Sequence, residues 1–431
     1  MNMRRQDRWL LGIALGLLWP GAGCHQYLVE TPNLLRQQDP ARVYASCPPN
    51  CQTPTAPILY ATDRAVDSGG NKNPVYGYGR ANTLTFGVAN VSLDPHPTWK
   101  ELIEASTQST RGKDYELKLA SVSVTGQMKP HLDQLAINDQ GPVITKAVAE
   151  QIVKQRSQFH ELLESRLAQS ARKDVFIFVH GYNNTFEDGA FRAAEVWHFM
   201  GRVGVPITYS WPAGLGGLRG YAYDRESGEF TVSHLRHFIR MVAECPEVER
   251  IHLIAHSRGT DVTVSALREL HLGYLAQGKS TQKSLKLENL VLAAPDIDEE
   301  VFKQRFVAEN LCTAARRTTI YVSNADRAIE AADIIFASRQ RLGSLAIKDI
   351  NPKMRQALAN QPNVQLIECK LLSNWSLNHA YVFSNPAALS DLILVLRDGR
   401  APGAQNGRPL NQPAEGIWEL TDSYLAKQTA Q

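Results

Sequence analysis

From about residue 174 onward, short apolar runs alternate with segments in which apolar residues recur at helical spacing. The runs lie at 175–179, 205–210, 251–255, 290–294, 319–322 and 364–369. A continuous apolar run is typical of a strand that is buried on both faces, and such strands belong to parallel sheets covered by helices. We therefore predict an α/β fold with a mainly parallel, doubly wound sheet and helices on both faces.

The boundaries of this domain follow from the same periodicities. Strand-like segments begin at 57–62, and apolar residues at every second position predict further strands around 84–88 and 117–124. We predict a loop at 65–80, where Gly, Asn and Pro dominate, and a last helix that begins at Asn385-Pro386 and ends near residue 396. The predicted domain spans 57–396, and 397–431 is predicted to be a C-terminal tail on the surface.

The first 23 residues are predicted to be a signal peptide. Arginines at positions 4, 5 and 8 precede an apolar run at 9–19, which is too short to span a bilayer. Small residues then lead directly to Cys24, which resembles the lipobox of bacterial lipoproteins, although Gly21 stands where that motif prefers an aliphatic residue. The resemblance implies lipidation of Cys24; the alternative is an uncleaved signal anchor.

The consequence is an exported protein of the cell envelope, held on the periplasmic side of a membrane by its N-terminal lipid. His25 is not the aspartate that retains many lipoproteins at the inner membrane, which favours the outer membrane by resemblance. Residues 24–56 are rich in Pro, Gln and Asn and are predicted to be a flexible tether.

Charge and cysteine content exclude some classes of protein. The net charge is +3 and basic residues form no long stripe, so nucleic acid is not an expected partner. Cys47 and Cys51 could form a disulfide in an oxidising compartment, and no further metal ligands are visible beside them. The remaining cysteines are predicted to be buried thiols: Cys245, Cys312 and Cys369.

The segment Ala255-His-Ser-Arg-Gly259 lies between a predicted strand and a predicted helix. It resembles the nucleophile elbow G-x-S-x-G of α/β-hydrolases, with Ala255 in place of the first glycine. Such a turn forces the serine into a strained backbone conformation, so its neighbours must be small. We predict that Ser257 is the nucleophile; the alternative is that small residues merely ease a turn.

A serine nucleophile needs a base and an acid, and both are expected at the carboxyl ends of later strands. Of the twelve histidines, His379 is the only one beyond His271, and it is the predicted base. Asp326 follows the strand at 319–322 and is the predicted acid, because the superfamily usually places its acid after a late strand. Asp296 and Asp298, after the preceding strand, are the alternative acids.

Negative charge on a tetrahedral intermediate requires hydrogen-bond donors. The segment His180-Gly181-Tyr182 follows a buried strand and resembles the His-Gly segment of lipases and esterases. The expected donors are the backbone N–H groups of Tyr182 and Arg258. We predict that the side chain of His180 organises this loop, and that the side chain of Arg258 lies at the mouth of the site.

Further segments make the resemblance specific. The motifs in chain order are Tyr60–Arg64 (YATDR), Val179–Asn183 (VHGYN), Ser210–Pro212 (SWP), Tyr223–Glu226 (YDRE), Ala255–Ser257 (AHS), Ala294–Asp296 (APD) and Ser323–Arg327 (SNADR). Together they resemble one bacterial group of α/β-hydrolases, long catalogued as a family of unknown function, over roughly residues 57–396. The resemblance implies the α/β-hydrolase fold. Trp211 and two tyrosines near it could line an acyl pocket or pack the loop onto the sheet.

The predicted activity is hydrolysis of a small-molecule carboxylic ester or thioester by Ser257, His379 and Asp326, with no metal ion or organic cofactor. An acyltransferase or a peptidase would use the same three residues and differ in the acceptor. The third hypothesis is a lipid-tethered scaffold on an inactive hydrolase fold. The sequence predicts neither the natural substrate nor the oligomeric state.

Overall fold

The computed structural model describes residues 26–36, 38–69, 72–129, 135–139, 141–326, 341–345, 348, 350, 352–371 and 379–426. The predicted signal peptide, Cys24 and His25 lie outside the described residues. Among the residues described, no helix is both long and apolar enough to cross a membrane.

The strands are β1 (Ala56–Ser68), β2 (Val75–Asp94), β3 (Glu116–Met128), β4 (Leu135–Asn138), β5 (Gly141–Ile144), β6 (Asp174–Val179), β7 (Val205–Ser210), β8 (Arg250–His256), β9 (Leu287–Ala293), β10 (Arg317–Val322), β11 (Val364–Lys370), β12 (Asn411–Ala414) and β13 (Ile417–Thr421). The helices are α1 (Pro40–Val43), α2 (Trp99–Ala105), α3 (Lys146–Leu167), α4 (Phe186–Phe199), α5 (Gly217–Glu244), α6 (Gly259–Leu275), α7 (Thr281–Leu285), α8 (Glu299–Phe302), α9 (Pro352–Ala359), α10 (Tyr381–Ser384) and α11 (Pro386–Leu396).

Within the described chain, eleven of these strands form one sheet in the order β12-β13-β11-β10-β9-β8-β6-β7-β1-β2-β3. The strands from β13 to β1 in this order run parallel to their neighbours, and the strands at the two ends pair antiparallel. The mainly parallel sheet predicted from the sequence is confirmed. Its carboxyl-terminal edge is the edge at which the predicted site residues follow their strands.

Both faces of the central parallel strands, β6 to β11, are buried, as the apolar runs predict. In β6, Val175, Ile177 and Val179 contribute to the core on one face, and Phe176 and Phe178 to the core on the other. The first face packs against α3, α5 and α6, and the second against α4 and α11. This double cover explains why β6 carries no polar alternation.

The predicted tether is wrong for the described residues of 24–56. Leu28, Leu35 and Tyr44 are buried in the second core, and Leu28 N donates to Tyr115 O over 2.8 Å. The Pro-rich composition concealed a few apolar residues that are buried against α4 and β3, and the segment also forms the short helix α1.

The predicted surface tail is also wrong for the described residues after 396. β13 pairs with β11 in parallel and extends the sheet, and its residues Ile417 and Leu420 are fully buried. The predicted loop at 65–80 is shorter than expected, because β1 continues to Ser68 and β2 begins at Val75. These strand pairs form between segments whose composition alone favours loops.

The cysteines of the described chain are all free thiols. Cys47 and Cys51 are buried and unpaired. The prediction of buried thiols is confirmed for the remaining three, Cys245, Cys312 and Cys369.

A buried ion pair attaches the C-terminal segment to the sheet. Arg408 Nε and Nη2 donate to the two carboxylate oxygens of Asp391 over 2.8 and 2.7 Å, and both side chains are fully buried. The hydroxyls of Tyr321 and Tyr424 donate to the same carboxylate. Asp391 therefore joins α11, β10 and the last described residues of the chain.

Arg408→Ala should lower the free energy of unfolding by about 3–5 kcal/mol, because it leaves the buried Asp391 carboxylate without its cation. The measurement is urea denaturation of the purified protein. Arg316→Ala is the matched control: Arg316 is an exposed arginine paired with Glu288, so its loss should cost about 1 kcal/mol or less. Equal losses for the two variants would contradict the assignment of Asp391 as a structural centre.

Candidate functional site

Ser257 follows β8 directly and lies in the left-handed region of backbone conformation, with φ +52°. A residue with a Cβ pays a steric cost there, so surrounding contacts must hold it in place. Ser257 N donates to Ala293 O over 2.9 Å, and Ser257 O accepts from the N–H groups of Thr260 and Asp296. This is the sharp strand-to-helix turn that the sequence predicts, and α6 begins two residues later.

The small neighbours of Ser257 are sterically required. A Cβ added to Gly259 would lie 2.3 Å from His180 O. A Cβ added to Gly181 would lie 2.7 Å from the Cβ of Ser257. Ala255 is fully buried at the position where the elbow motif has its first glycine. The elbow and the loop after β6 are therefore in direct contact.

His379 and Asp326 form a hydrogen-bonded pair at the same edge of the sheet. His379 Nδ1 donates to Asp326 Oδ2 over 2.7 Å, and the Asp326 side chain is almost fully buried. Burial is the largest effect on the pKa of His379 and lowers it. The charge and hydrogen bond of Asp326, with the charge of Asp296, raise this pKa by more, so it lies above its ordinary value.

His256 connects this pair to the elbow. Its ring centroid lies 4.9 Å from the ring centroid of His379, and its Nε2 donates to His379 O over 3.2 Å. In the described part of the chain, Ser257 Oγ and His379 Nε2 do not share a hydrogen bond. Catalytic hydrogen bonds are often long before a substrate binds. His256 was not predicted to be part of the site, although its position directly before the nucleophile was a signal.

The alternative acids have other partners. The Asp296 carboxylate is bound by Arg341 and accepts a hydrogen bond from the Tyr221 hydroxyl over 3.0 Å. Asp298 caps α8, because its Oδ1 accepts from Glu300 N and Val301 N. Of the three candidate acids, Asp326 is the one hydrogen-bonded to His379.

The expected oxyanion donors lie beside the elbow. Gly181 N donates to Asn184 Oδ1 over 3.1 Å, and Asn183 N donates to Asp224 Oδ2 over 2.8 Å. In contrast, the backbone N–H groups of Tyr182 and Arg258 donate to no residue of the described chain. These two groups are available to a ligand, while the N–H groups around them are engaged in holding the loop.

The buried His180 side chain holds its own loop. His180 Nδ1 donates to Gly181 O over 3.0 Å, while Nε2 accepts from Arg64 Nη2 over 3.1 Å. Burial, and then the charge of Arg64, lower the pKa of His180 to about 3, so the ring is neutral. These contacts support the prediction that His180 organises the loop.

Arg258 does not lie at the mouth of the site as predicted. Its side chain is buried, forms an ion pair with Asp261 over 2.8 Å and donates to Asp296 O. The guanidinium of Arg258, which we expected to face a substrate, instead binds the segment after β9.

Two roles were predicted for Trp211 in the loop after β7, and the structure supports one of them. Trp211 is fully buried and stacks on His180 with ring centroids 5.3 Å apart, so its packing role is observed and the acyl-pocket role is not. Asp224 accepts from Asn183 N and Gly214 N, and burial raises its pKa to about 6. Asp224 therefore supports the loop that carries Tyr182.

Arg64 was predicted only as part of a motif, yet its side chain donates to the loops after both β6 and β7. An arginine directly after an apolar strand was the signal in the sequence that could have identified it. Among the described residues, the cluster that could hold a metal ion does not include Ser257, Asp326 or His379.

A family model described as an alpha/beta hydrolase of unknown function (DUF900) matches residues 155–397, more than half of the 431-residue chain. The matched range contains Ser257, Asp326 and His379, and it begins after Arg64. No curated protein matches the chain. The sheet order, the elbow and this match lead to one conclusion: the chain belongs to this family of alpha/beta hydrolases of unknown function.

Proposed function

We propose that the protein is a serine hydrolase that cleaves carboxylic esters or thioesters through an acyl-enzyme. The observation that carries the proposal is the 2.7 Å hydrogen bond between His379 Nδ1 and Asp326 Oδ2, at the same sheet edge as Ser257. A carboxylate that accepts from Nδ1 fixes the tautomer in which Nε2 has the lone pair of a general base. The strained backbone of Ser257 supports the assignment of the nucleophile.

In the proposed mechanism, Ser257 Oγ attacks the carbonyl carbon while His379 Nε2 takes the hydroxyl proton. The tetrahedral intermediate collapses, and the alcohol or thiol leaves with the proton that His379 returns. A water molecule then attacks the acyl-enzyme by the same proton transfers. The products are a carboxylic acid and free Ser257. Asp326 keeps its negative charge throughout and stabilises the imidazolium.

The negative oxygen of each tetrahedral intermediate would accept hydrogen bonds from Tyr182 N and Arg258 N. Two features support this role. Neither N–H group has a partner in the described chain, and the main chain at Gly181 lies against Ser257. Loss of one such donor costs about 10²–10³ in kcat in enzymes of this kind.

Ser257→Ala should abolish labelling by a fluorophosphonate probe and abolish ester hydrolysis, because the probe reacts only with an activated serine. Labelling is read by mass spectrometry, hydrolysis with a series of ester chain lengths, and folding by circular dichroism. Ser323→Ala is the control, since Ser323 is also buried at the end of a strand but donates to Cys369 O. The control should remain labelled.

The outcomes separate the competing functions. Wild-type protein that takes no label contradicts the proposal and supports the inactive scaffold. Protein that is labelled but transfers its acyl group to an acceptor other than water is an acyltransferase. Cleavage of amides in preference to esters identifies a peptidase.

The pH dependence tests the acid. His379 must be neutral to accept a proton, so activity should rise with pH through its pKa, which Asp326 raises above the ordinary value of about 6.5. Asp326→Asn should move this rise in activity to lower pH, because burial then has the larger effect on the pKa of His379. The substitution should also reduce kcat about 10⁴-fold. The control Asp298→Asn should keep the wild-type profile. The assignment of Asp326 as the acid fails if Asp326→Asn changes neither kcat nor the pH at which activity rises.

We also propose that the protein is exported and attached to a membrane through Cys24, as its sequence predicts. Cys24→Ser should move the protein from the membrane fraction to the soluble fraction and abolish incorporation of labelled palmitate. Wild-type protein that remains soluble and unlabelled in cells would overturn this proposal without affecting the assignment of Ser257.

A further inference from the structure

A second group of reactive side chains lies far from Ser257. His160 and Glu164 are one turn apart on α3, and Cys245 follows the last residue of α5. One ring nitrogen of His160, one carboxylate oxygen of Glu164 and Sγ of Cys245 lie within 4.8 Å of one another. Cys245 precedes β8 in the chain, whereas Ser257 follows β8, so the two groups lie at opposite edges of the sheet.

The His160 ring is already oriented. Its Nε2 lies 2.9 Å from Met241 O, and because a carbonyl oxygen can only accept, Nε2 carries the proton and Nδ1 keeps a lone pair. A backbone carbonyl that accepts from the second ring nitrogen is the usual support of a metal-bound histidine. Met241 lies in the last turns of α5, so the contact also brings the histidine towards Cys245.

The Cys245 side chain is buried, and its Sγ lies 3.8 Å from Glu164 Oε1. Burial raises the pKa of its thiol to about 11, so the sulfur is protonated at neutral pH. A thiol and a carboxylate that face each other at this distance form a weak hydrogen bond at most. The same two atoms, together with an imidazole nitrogen, are a favourable donor set for a borderline-soft divalent cation.

The donor types and their number select the ion. Zn²⁺ takes sulfur, nitrogen and carboxylate oxygen ligands in tetrahedral geometry, with bonds of about 2.0–2.3 Å, which separates donors by about 3.5 Å. The partly exposed side chains of His160 and Glu164 need to move inward by roughly 1 Å to meet this geometry. Water would occupy the fourth position.

We propose that His160, Glu164 and Cys245 bind one Zn²⁺ ion that links α3 to the end of α5. Binding converts the Cys245 thiol to a metal-bound thiolate and releases its proton to solvent. The ion stabilises the fold and takes no part in the chemistry proposed for Ser257. Because α3 precedes β6 and α5 precedes β8 in the chain, the link lies at the edge of the sheet at which these strands begin.

The test is titration of the chelator-treated full-length protein with Co²⁺, which reports a thiolate ligand by an intense near-ultraviolet charge-transfer band. We expect one Co²⁺ per chain, the band, and its loss when Zn²⁺ is added. Cys245→Ser should abolish the band and weaken Zn²⁺ binding at least tenfold. Cys312→Ser is the matched control, a buried free thiol elsewhere, and should keep both.

His160→Gln provides a second variant that retains the thiol, and it should weaken Co²⁺ binding at least tenfold even if Cys245→Ser fails to fold. At the same concentration, Zn²⁺ should raise the melting temperature of the wild type more than that of His160→Gln. Binding without the charge-transfer band, binding that is equal in wild type and His160→Gln, or no binding would each overturn the proposal. Probe labelling of Ser257 should be the same in all variants, so this result is independent of the proposed hydrolase activity.

Discussion

The arrangement of the candidate site depends on the buried guanidinium of Arg64. It donates to acceptors on the hairpin beside β1, on the loop after β6 and on the loop after β7: Gly77 O, His180 Nε2, Asn184 O, Ser210 Oγ and Ala213 O, at 2.7 to 3.1 Å. Burial lowers the pKa of Arg64 to about 10, which still leaves it charged at neutral pH. Oriented carbonyl groups take the place of solvent around the cation, so displacement of any of these loops would leave a buried charge poorly solvated.

This constraint explains the roles of several residues around the nucleophile. Arg64 fixes His180, His180 fixes the carbonyl of Gly181, and Gly181 lies against Ser257. Asp224 holds the same loop from the other side through Asn183 N. The groups that would meet a substrate are thus positioned by buried side chains that form hydrogen bonds with the loops around them. Such preorganisation is what a site that stabilises developing charge requires.

The sequence predicted the parts of this fold that depend on local patterns. Buried parallel strands are continuous apolar runs, so β6, β7 and β8 were located to within about one residue. Chain order placed Ser257, Asp326 and His379 after β8, β10 and β11. The two end segments were misjudged because their structure comes from distant contacts. Leu28 is buried against residues near 115, and β13 depends on β11 for its hydrogen bonds. Arg64 was missed as a centre for the same reason, since its partners in the loops after β6 and β7 lie more than 100 residues away.

The two ends of the described chain also contact each other. Asn33 Nδ2 donates to Tyr424 O over 2.9 Å, and Asn33 N donates to Pro386 O. The N-terminal segment is therefore held in place by residues far along the chain, 391 positions later in the case of Tyr424. Without these residues the second core would lose Leu420 and Tyr424, and the sheet would lose β12 and β13. Closing a loop of this length costs conformational entropy before any contact is gained, so these contacts belong to the non-local part of folding that slows the search for the native state.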